Sequence, residues 1–559
     1  MNATAAAEQP KLKGWRLLRA AFSNRKMGIM LAFGFSAGLP YALLLGTLYA
    51  WLGAEGVDLE TMGIFSLIGL AYAFKFLWSP IVDRVELPIL GRLGRRRSWL
   101  IPIQLLLGLS FILLSQLNPQ TSLGLFSAIA GVCAFASATQ DIVIDAWRVD
   151  VADETATLEI LSAIYQLGYR IAALAGGALA LIMASRIGWP QVYLIMGISL
   201  LFVVLATLAA PDTPRPESTA DVGKFTDAGE LSIQVRGLAM ALVGACWIWA
   251  LYSVISFMVQ SLGATPEARP DSGDFIKFQG PLIVIATVIV PAIVAAMLNY
   301  FKRSGQYVLA EAQPVHTGLH RFIDHCYSAL LMPLAEIVGR LGWASILVLS
   351  IILTYRFTDA VWGPFALPFY LQELKYTNDE VAIASKFFGV GMTMLGITLG
   401  AISFATLGRM KTLILGAVVA AASNLLYADL SQGGAGIDIF GNYSGFYWLA
   451  ELFGSDARFS RLLLAIAGEN LAGGLAGAAF VAYLSTITSK SYSAVQYALL
   501  SSLTFLVGSL GRGAIGKMIE TDGYTHVFYL TAGLGLIAVI LCIIEAIRVR
   551  GVPETAGAA

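Results

Sequence analysis

The chain has 559 residues, 57% of them hydrophobic and only 13% charged, with a mean hydropathy of +0.73. That balance excludes a soluble globular protein, and 36 basic against 36 acidic residues give no bulk charge with which to hold nucleic acid. Four cysteines (Cys133, Cys246, Cys326, Cys542) without paired spacing imply no disulfide framework.

The N-terminal stretch MNATAAAEQPKLKGWRLLRAAFSNRK carries six Lys/Arg but no short apolar region ending in a cleavage site, so residues 1–27 read as a cytoplasmic tail. About 20 apolar residues cross a hydrocarbon core as a helix. Segments of that kind fall at 28–52, 62–83, 98–117, 122–148, 160–184, 190–210, 237–262, 280–300, 343–371, 379–403, 412–430, 459–486, 494–517 and 525–547. Those within 28–210 form one half of six. The polar linker PDTPRPESTADVGKFTDAGE then opens a segment, 211–300, that holds the pair 237–262 and 280–300, read as an inserted transmembrane hairpin. A cytoplasmic loop with an amphipathic segment (301–342), a second six-helix half (343–547) and a tail (548–559) complete the chain. The expected architecture is an all-α polytopic membrane protein of two six-helix halves plus a two-helix hairpin, about 14 transmembrane helices. Alternating the sides along the chain places 24 Lys/Arg with the N-terminus and 7 opposite, so both ends are expected in the cytoplasm.

The halves echo each other. An offset of 320 aligns VDLETMGIFSLIG (57–69) with TNDEVAIASKFFG (377–389), and the basic loop at 83–97 has a reduced counterpart, LGRMK, at 407–411. Glycine clusters at 176–181 and 473–479 suit close helix crossing; they are not phosphate loops, because no GK[ST] follows. In HTGLHRFIDHC, His316, His320, His325 and Cys326 lie within eleven residues; the pattern reads as an interfacial amphipathic segment, with a metal site as the alternative. Trp51, Trp99, Trp189 and Trp343 near span ends read as interfacial anchors.

Ionisable groups inside spans are costly and normally face a cavity or a partner. Here they are Lys75, Asp141, Asp145, Arg170, Arg356, Asp359, Lys386, Glu469 and Arg512. Three have simpler readings. Arg356 and Asp359 are spaced to neutralise each other, Glu469 and Arg512 are placed to pair between helices, and Lys386 has the reach to snorkel outward. In ASATQDIVIDAWRVD (136–150), Asp141, Asp145 and Arg148 form a single helical stripe. Arg148 at the edge is matched to Asp145, which leaves Asp141 less compensated, with Arg170 on the next helix as a competing partner. Burial opposes ionisation of a carboxyl and a nearby cation favours it, so a group between the two influences suits proton exchange.

The loop that starts Asp83-Arg84 and ends Arg95-Arg96-Arg97, between the second and third spans, resembles the cytoplasmic-loop motif of major facilitator transporters, although an insert separates Arg84 from the Gly-Arg-Arg. Within that superfamily the chain resembles the AmpG-type muropeptide permeases. The resemblance rests on FGFSAGLPYALLLGTLYAWL (33–52), FKFLWSPIVDR (74–84), ASATQDIVIDAWRVDV (136–151), YQLGYRIAALAGGALAL (165–181) and ENLAGGLAGAAFVAYLSTITSKSYSAVQYALLSS (469–502). It implies a major facilitator fold and a proton-coupled importer of N-acetylglucosaminyl-1,6-anhydro-N-acetylmuramyl peptides across the bacterial inner membrane, with no cofactor beyond the proton. Its implied partners are the muropeptide and the lipid bilayer, with a monomer expected. Such a substrate carries carboxylates and sugar hydroxyls. The candidate binding groups are Lys75, Gln140, Tyr165, Tyr169, Arg170, Asp359 and Asn470; the proton-coupling candidates are Asp141, Asp145 and Glu469; and the cytoplasmic gate candidates are Asp83, Arg84, Arg95, Arg96 and Arg148. The alternatives are a permease for an acyl-coenzyme A, siderophore or drug-like solute, and a non-transporting membrane sensor. An enzyme is not expected, since the spans hold no nucleophile with a base beside it.

Overall fold

The computed structural model describes residues 24–79, 82, 90–153, 155–156, 158–211, 225–226, 231–264, 268–310, 313–314, 318–488, 496, 499–500, 503–504 and 506–550. In chain order these form α1 (Arg25–Ala54), the shorter α2 (Leu59–Tyr72), α3 (Arg97–Leu114), α4 (Leu123–Asp150), α5 (Ile164–Ile187) and α6 (Trp189–Leu208). Then come α7 (Ile233–Gly263) and α8 (Ser272–Arg303). Next is α9, built from Gly318–Cys326, a π-helical turn and Met332–Leu341. The rest are α10 (Ala344–Glu373), α11 (Asn378–Phe404), α12 (Arg409–Ser431), the short α13 (Ala435–Tyr443) and α14 (Phe446–Leu452), α15 (Ala457–Leu484), α16 (Leu506–Leu510) and α17 (Arg512–Val549).

Twelve of these helices are long and apolar enough to cross a membrane, against the fourteen segments expected. The two not in that count run into residues outside the described set. The second segment continues from α2 into residues outside the described set, and the thirteenth begins among such residues and merges with the fourteenth in α17, which breaks at Gly523 (φ 81°). The helix starts are written locally. Asn24, Asp58, Thr377 and Asp456 each accept a hydrogen bond from a first-turn amide of α1, α2, α11 and α15.

The two halves repeat one packing scheme. In the first, α1 lies along α5, α2 meets α4, and α3 lies along α6; in the second, α10 meets α16 and the start of α17, α11 lies along α15, and α12 lies along α17. The crossings are as close as backbones allow. A Cβ on Gly34 would stand 2.2 Å from the Tyr165 carbonyl, and one on Gly396 2.2 Å from that of Leu471. The turn between the last two helices is also shared: Gly188 before Trp189 and Gly523 before Tyr524 hold the same left-handed, extended backbone (φ 82° and 81°).

Both α1 and α17 have one end on the same face of the bundle, called here the terminal face; the loops near residues 55–58, 188, 268–271, 374–377 and 432–456 lie on the far face. The inserted pair α7 and α8 is stacked at Phe257–Phe275 (3.9 Å between centroids). On the terminal face it holds α9 through a buried ion pair, Arg236–Asp324 (2.6 Å), with the Arg236 guanidinium over Tyr327, while Leu330 and Leu331 pack with Trp247, Val294 and Leu298. The apolar stripe of α9 is therefore met by the hairpin rather than by a membrane surface, which corrects the interfacial reading of that segment. No group of three His, Cys, Asp or Glu among the described residues is placed to hold a metal; His316 lies outside those residues, and His320, His325 and Cys326 have contacts within the fold. The tryptophan reading also needs correcting. Trp343 is 89% exposed, but Trp51 is fully buried between Phe126 and Tyr193, and Trp189 is buried too.

Candidate functional site

The halves meet tightly on the far face. A Cβ on Gly63 of α2 would reach 2.3 Å from the Arg512 carbonyl, and one on Gly516 2.3 Å from that of Leu59, so α2 and α17 touch backbone to backbone. On the other side of the bundle, Arg186 of α5 grips Asp379 of α11 with both nitrogens (3.2 and 3.1 Å), and Gly177 faces the Lys386 stem. Both chains are π-helical at that contact, at Ala175–Leu179 and Ala382–Phe388. The inserted hairpin adds a clasp: Arg269 bonds Asp58 (3.2 Å) and Ser272 bonds Glu60 on the α2 side, while Asp271 pairs with Lys517 on the α17 side. Asp271 lies outside the spans, and the Lys517 ammonium holds its carboxyl below the usual carboxylate range.

Toward the terminal face the second half lines an open cavity of about 710 Å³, running from Glu469 and Asn470 to Ala482 along α15, with Arg356 and Asp359 of α10 and Thr393 of α11 opposite. Its charges are arranged in pairs. Arg356 and Asp359 form an ion pair at 2.9 Å, and the guanidinium lies over Gly477, where a Cβ would meet it at 2.9 Å. Glu469 accepts from Tyr427, whose hydroxyl is 2.7 Å from that of Tyr370, and Trp362 packs on Tyr427 (5.2 Å) and Phe528 (4.7 Å). Asn470 accepts from Thr393 (2.9 Å). Lys386 has no ion pair or hydrogen bond among the described residues, and Glu469 is within its electrostatic reach. The expected Glu469–Arg512 pair is absent among the described residues. Arg512 instead donates to the Ala360 carbonyl (2.7 Å), because α17 crosses α10 there.

The first half presents the complementary cluster. Lys75, in a tight turn after α2, pairs with Asp141 of α4 (3.3 Å), whose second oxygen has no hydrogen-bond partner. Asp145 and Arg148 pair one turn further on (3.0 Å), and Arg148 lies over the Tyr165 ring. Tyr165, Tyr169, Tyr41 and Tyr72 then follow ring against ring, at 5.2 to 6.3 Å between centroids. Tyr41, packed on Tyr72 and Tyr169, is within electrostatic reach of Asp141 on its own side and of Arg356 and Arg512 on the other.

Three candidate groups lie elsewhere than expected. Gln140 is fully buried and directed at Ser36 of α1, accepting from its hydroxyl (2.8 Å) and donating to its carbonyl (2.9 Å), so it clamps two helices instead of lining the cavity. Arg170 is exposed and makes no ion pair among the described residues, so Lys75 holds the place of partner to Asp141. Arg96 bonds Asp150 (2.8 Å), tying α3 to α4 within one half, so this contact is not a latch between halves; Arg95 is partly buried beside it, and Asp83 and Arg84 lie outside the described residues. Tyr41, Tyr72, Tyr370, Tyr427 and Trp362 were not singled out from the sequence, where aromatic residues in apolar spans look like core.

The family profile described as "Acetyl-coenzyme A transporter 1" matches residues 27–172. Over 528 residues the chain is 30% identical to the anhydromuropeptide permease of Escherichia coli (strain K12), covering 93% of this chain and 80% of that protein. It is 28% identical to the putative transporter AmpG 4 of Rickettsia conorii, covering 93% and 96%. Among solved structures it is similar to an auto-inhibited POT family peptide transporter (TM-score 0.59, 13% identity, 95% of this chain and 98% of that one) and to the nucleoside transporter NupG (TM-score 0.55, 10% identity, 93% and 99%). The chain is a multi-pass membrane protein of the major facilitator fold and belongs to the AmpG family of anhydromuropeptide permeases.

Proposed function

We propose that this chain carries anhydromuropeptides from periplasm to cytoplasm by alternating access, coupled to protons, as a monomer in the bacterial inner membrane. The terminal face is then cytoplasmic, and the tight far-face contacts with an open terminal-face cavity correspond to the inward-facing state. The observation that carries the coupling is the Lys75–Asp141 pair (3.3 Å), a half-buried ammonium against a carboxylate with one unsatisfied oxygen.

The chemistry follows from charge conservation. A proton taken up by Asp141 neutralises the carboxylate and releases Lys75, whose ammonium then accepts a substrate carboxylate. When the substrate leaves, Lys75 returns to Asp141 and the proton departs on the side then open. Asp145, within reach of Lys75, tunes this exchange, and Glu469 is a second proton-accepting carboxylate in the opposite half. Asp359 and Asn470 line the cavity, and Tyr165 and Tyr169 offer ring faces and hydroxyls to sugars. The hairpin clasp forms part of the outer gate, since parting α2 from α17 breaks the Arg269–Asp58 or the Asp271–Lys517 contact.

The test is uptake of radiolabelled anhydromuropeptide into right-side-out vesicles, with and without a protonophore. Uptake that collapses with the protonophore supports the reading; uptake indifferent to it refutes the coupling. The profile match at residues 27–172 keeps an acyl-coenzyme A in view as a second cargo class. An acyl-coenzyme A that competes with muropeptide at similar concentration would favour it.

A further inference from the structure

The segment between α12 and α15 folds as α13 and α14, joined by turns at Gly434 and Gly445, both left-handed (φ 77° and 72°). It is built inside out. Asp429, at the end of α12, turns its carboxylate inward to cap the amides of Gly436 (3.0 Å) and Ile437 (2.7 Å). Asp438 also points inward, taking both Arg461 nitrogens at 2.7 Å and the Tyr447 hydroxyl at 2.6 Å. The outward side is apolar and aromatic: Ile439 (62% exposed), Phe440 (60%), Tyr443 (90%), Trp448 (66%), Leu452 (63%) and Phe453 (85%).

A loop in water places its charges outside and its aromatics within. This one largely does the reverse, with Glu451 the exposed acid of α14. Exposed apolar side chains of the neighbouring spans lie beside it: Tyr529 of α17 (52% exposed), which accepts from Gln432 (3.4 Å), and Leu425 of α12 (47% exposed). Tyr and Trp beside Leu, Ile and Phe are the side chains that settle at the boundary between headgroups and acyl chains. From this geometry we infer that α13 and α14 lie in the far-face leaflet of the membrane, with their aromatic side immersed at the headgroup–acyl boundary. Phe446 rests on Phe388 of α11 (6.5 Å between centroids), so the immersed pair floats beside the helix that contacts α5 at the far face.

Spin labels at Tyr443→Cys, Trp448→Cys and Phe453→Cys, in full-length protein reconstituted in phospholipid vesicles, test this. Cys133, Cys326 and Cys542 are buried, so only the partly exposed Cys246 needs replacing, by alanine. Labels at all three sites are expected to collide with oxygen several-fold more readily than with an aqueous nickel chelate, and a label at Lys375→Cys, on an exposed turn of the same face, to show the opposite. Nickel access equal to that at Lys375 overturns the inference. So does dipolar broadening that vanishes on dilution with unlabelled protein, which would place a second copy on the surface. A label-free arm uses brominated phospholipid: the wild type should lose more fluorescence than Trp448→Phe, and equal loss overturns the inference even if a cysteine variant folds poorly.

Discussion

The two halves solve the problem of a carboxylate inside an apolar bundle in different ways. In the first, Asp141 faces an ammonium, Lys75, and keeps one oxygen unsatisfied. In the second, Glu469 is held by the Tyr427 hydroxyl, itself backed by Tyr370 and walled by Trp362 and Phe528. An ion pair changes its attraction completely when one partner takes a proton, whereas a hydroxyl still has a partner after the carboxylate is neutralised. On the proposed reading the first half then carries the main proton switch, and the second carries a carboxylate that keeps its hydrogen-bond partner when it takes a proton.

The largest expected effect breaks the switch. Asp141→Asn should abolish proton-driven uptake in proteoliposomes while leaving substrate exchange largely intact, and Lys75→Gln should weaken both. Loss of folding, or an unaltered pH dependence in Asp141→Asn, would sink the assignment. Glu469→Gln keeps an acceptor for Tyr427 and should slow uptake without flattening its pH profile. A flat profile would reverse the roles of the halves.

Next comes the glycine floor of α15. Gly474→Ala puts a Cβ 2.3 Å from the Thr393 carbonyl and should cost about 1–3 kcal/mol, read as a lower unfolding temperature in detergent. Its neighbour Gly473 has nothing within 4 Å and lines the cavity, so Gly473→Ala should leave the unfolding temperature alone and raise the KM for substrate.

The smallest effect is expected at the clasp. Asp271 is an exposed partner of Lys517, so Asp271→Asn should cost only about 0.2–1 kcal/mol. Because its folded pKa is depressed, the contribution is present above the unfolded value, about 3.9, and lost as pH falls through the folded one. Asp58, Glu60, Asp274, Arg269 and Lys517 share that surface, so the difference in unfolding temperature between the wild type and Asp271→Asn should be present at neutral pH and vanish below about pH 4. A difference that grows as the pH falls would contradict the sign.

Much of this was legible in the sequence, because hydropathy reports the environment of each span directly. The repeat was visible at the offset of 320, and the packing scheme shows why: equivalent helices meet equivalent partners. Ionisable residues in apolar runs marked the site. Their partners were not legible, since Lys75 and Asp141 are 66 residues apart in sequence and their pairing depends on a helix crossing. Gln140 misled for the same reason: the rotation of about 100° from one helical residue to the next separates Asp141, which faces Lys75, from Gln140, which faces Ser36. Trp51 misled because a span end near the membrane boundary also lies over α4 and α6, whose Phe126 and Tyr193 enclose it.

The inserted hairpin carries a mechanical consequence. At the far face it is tied to α2 by Arg269–Asp58, and at the terminal face it is tied through α9 to the second half, where Arg340 bonds the Ile487 carbonyl and Gln496 bonds Glu336 (2.6 Å). A tether bonded to both halves at the far face, by Arg269–Asp58 and Asp271–Lys517, and again to the second half at the terminal face resists the parting of α2 from α17. The same fold without it could open its outer mouth as far as lipid and loops allow; this chain opens only as far as its tether yields.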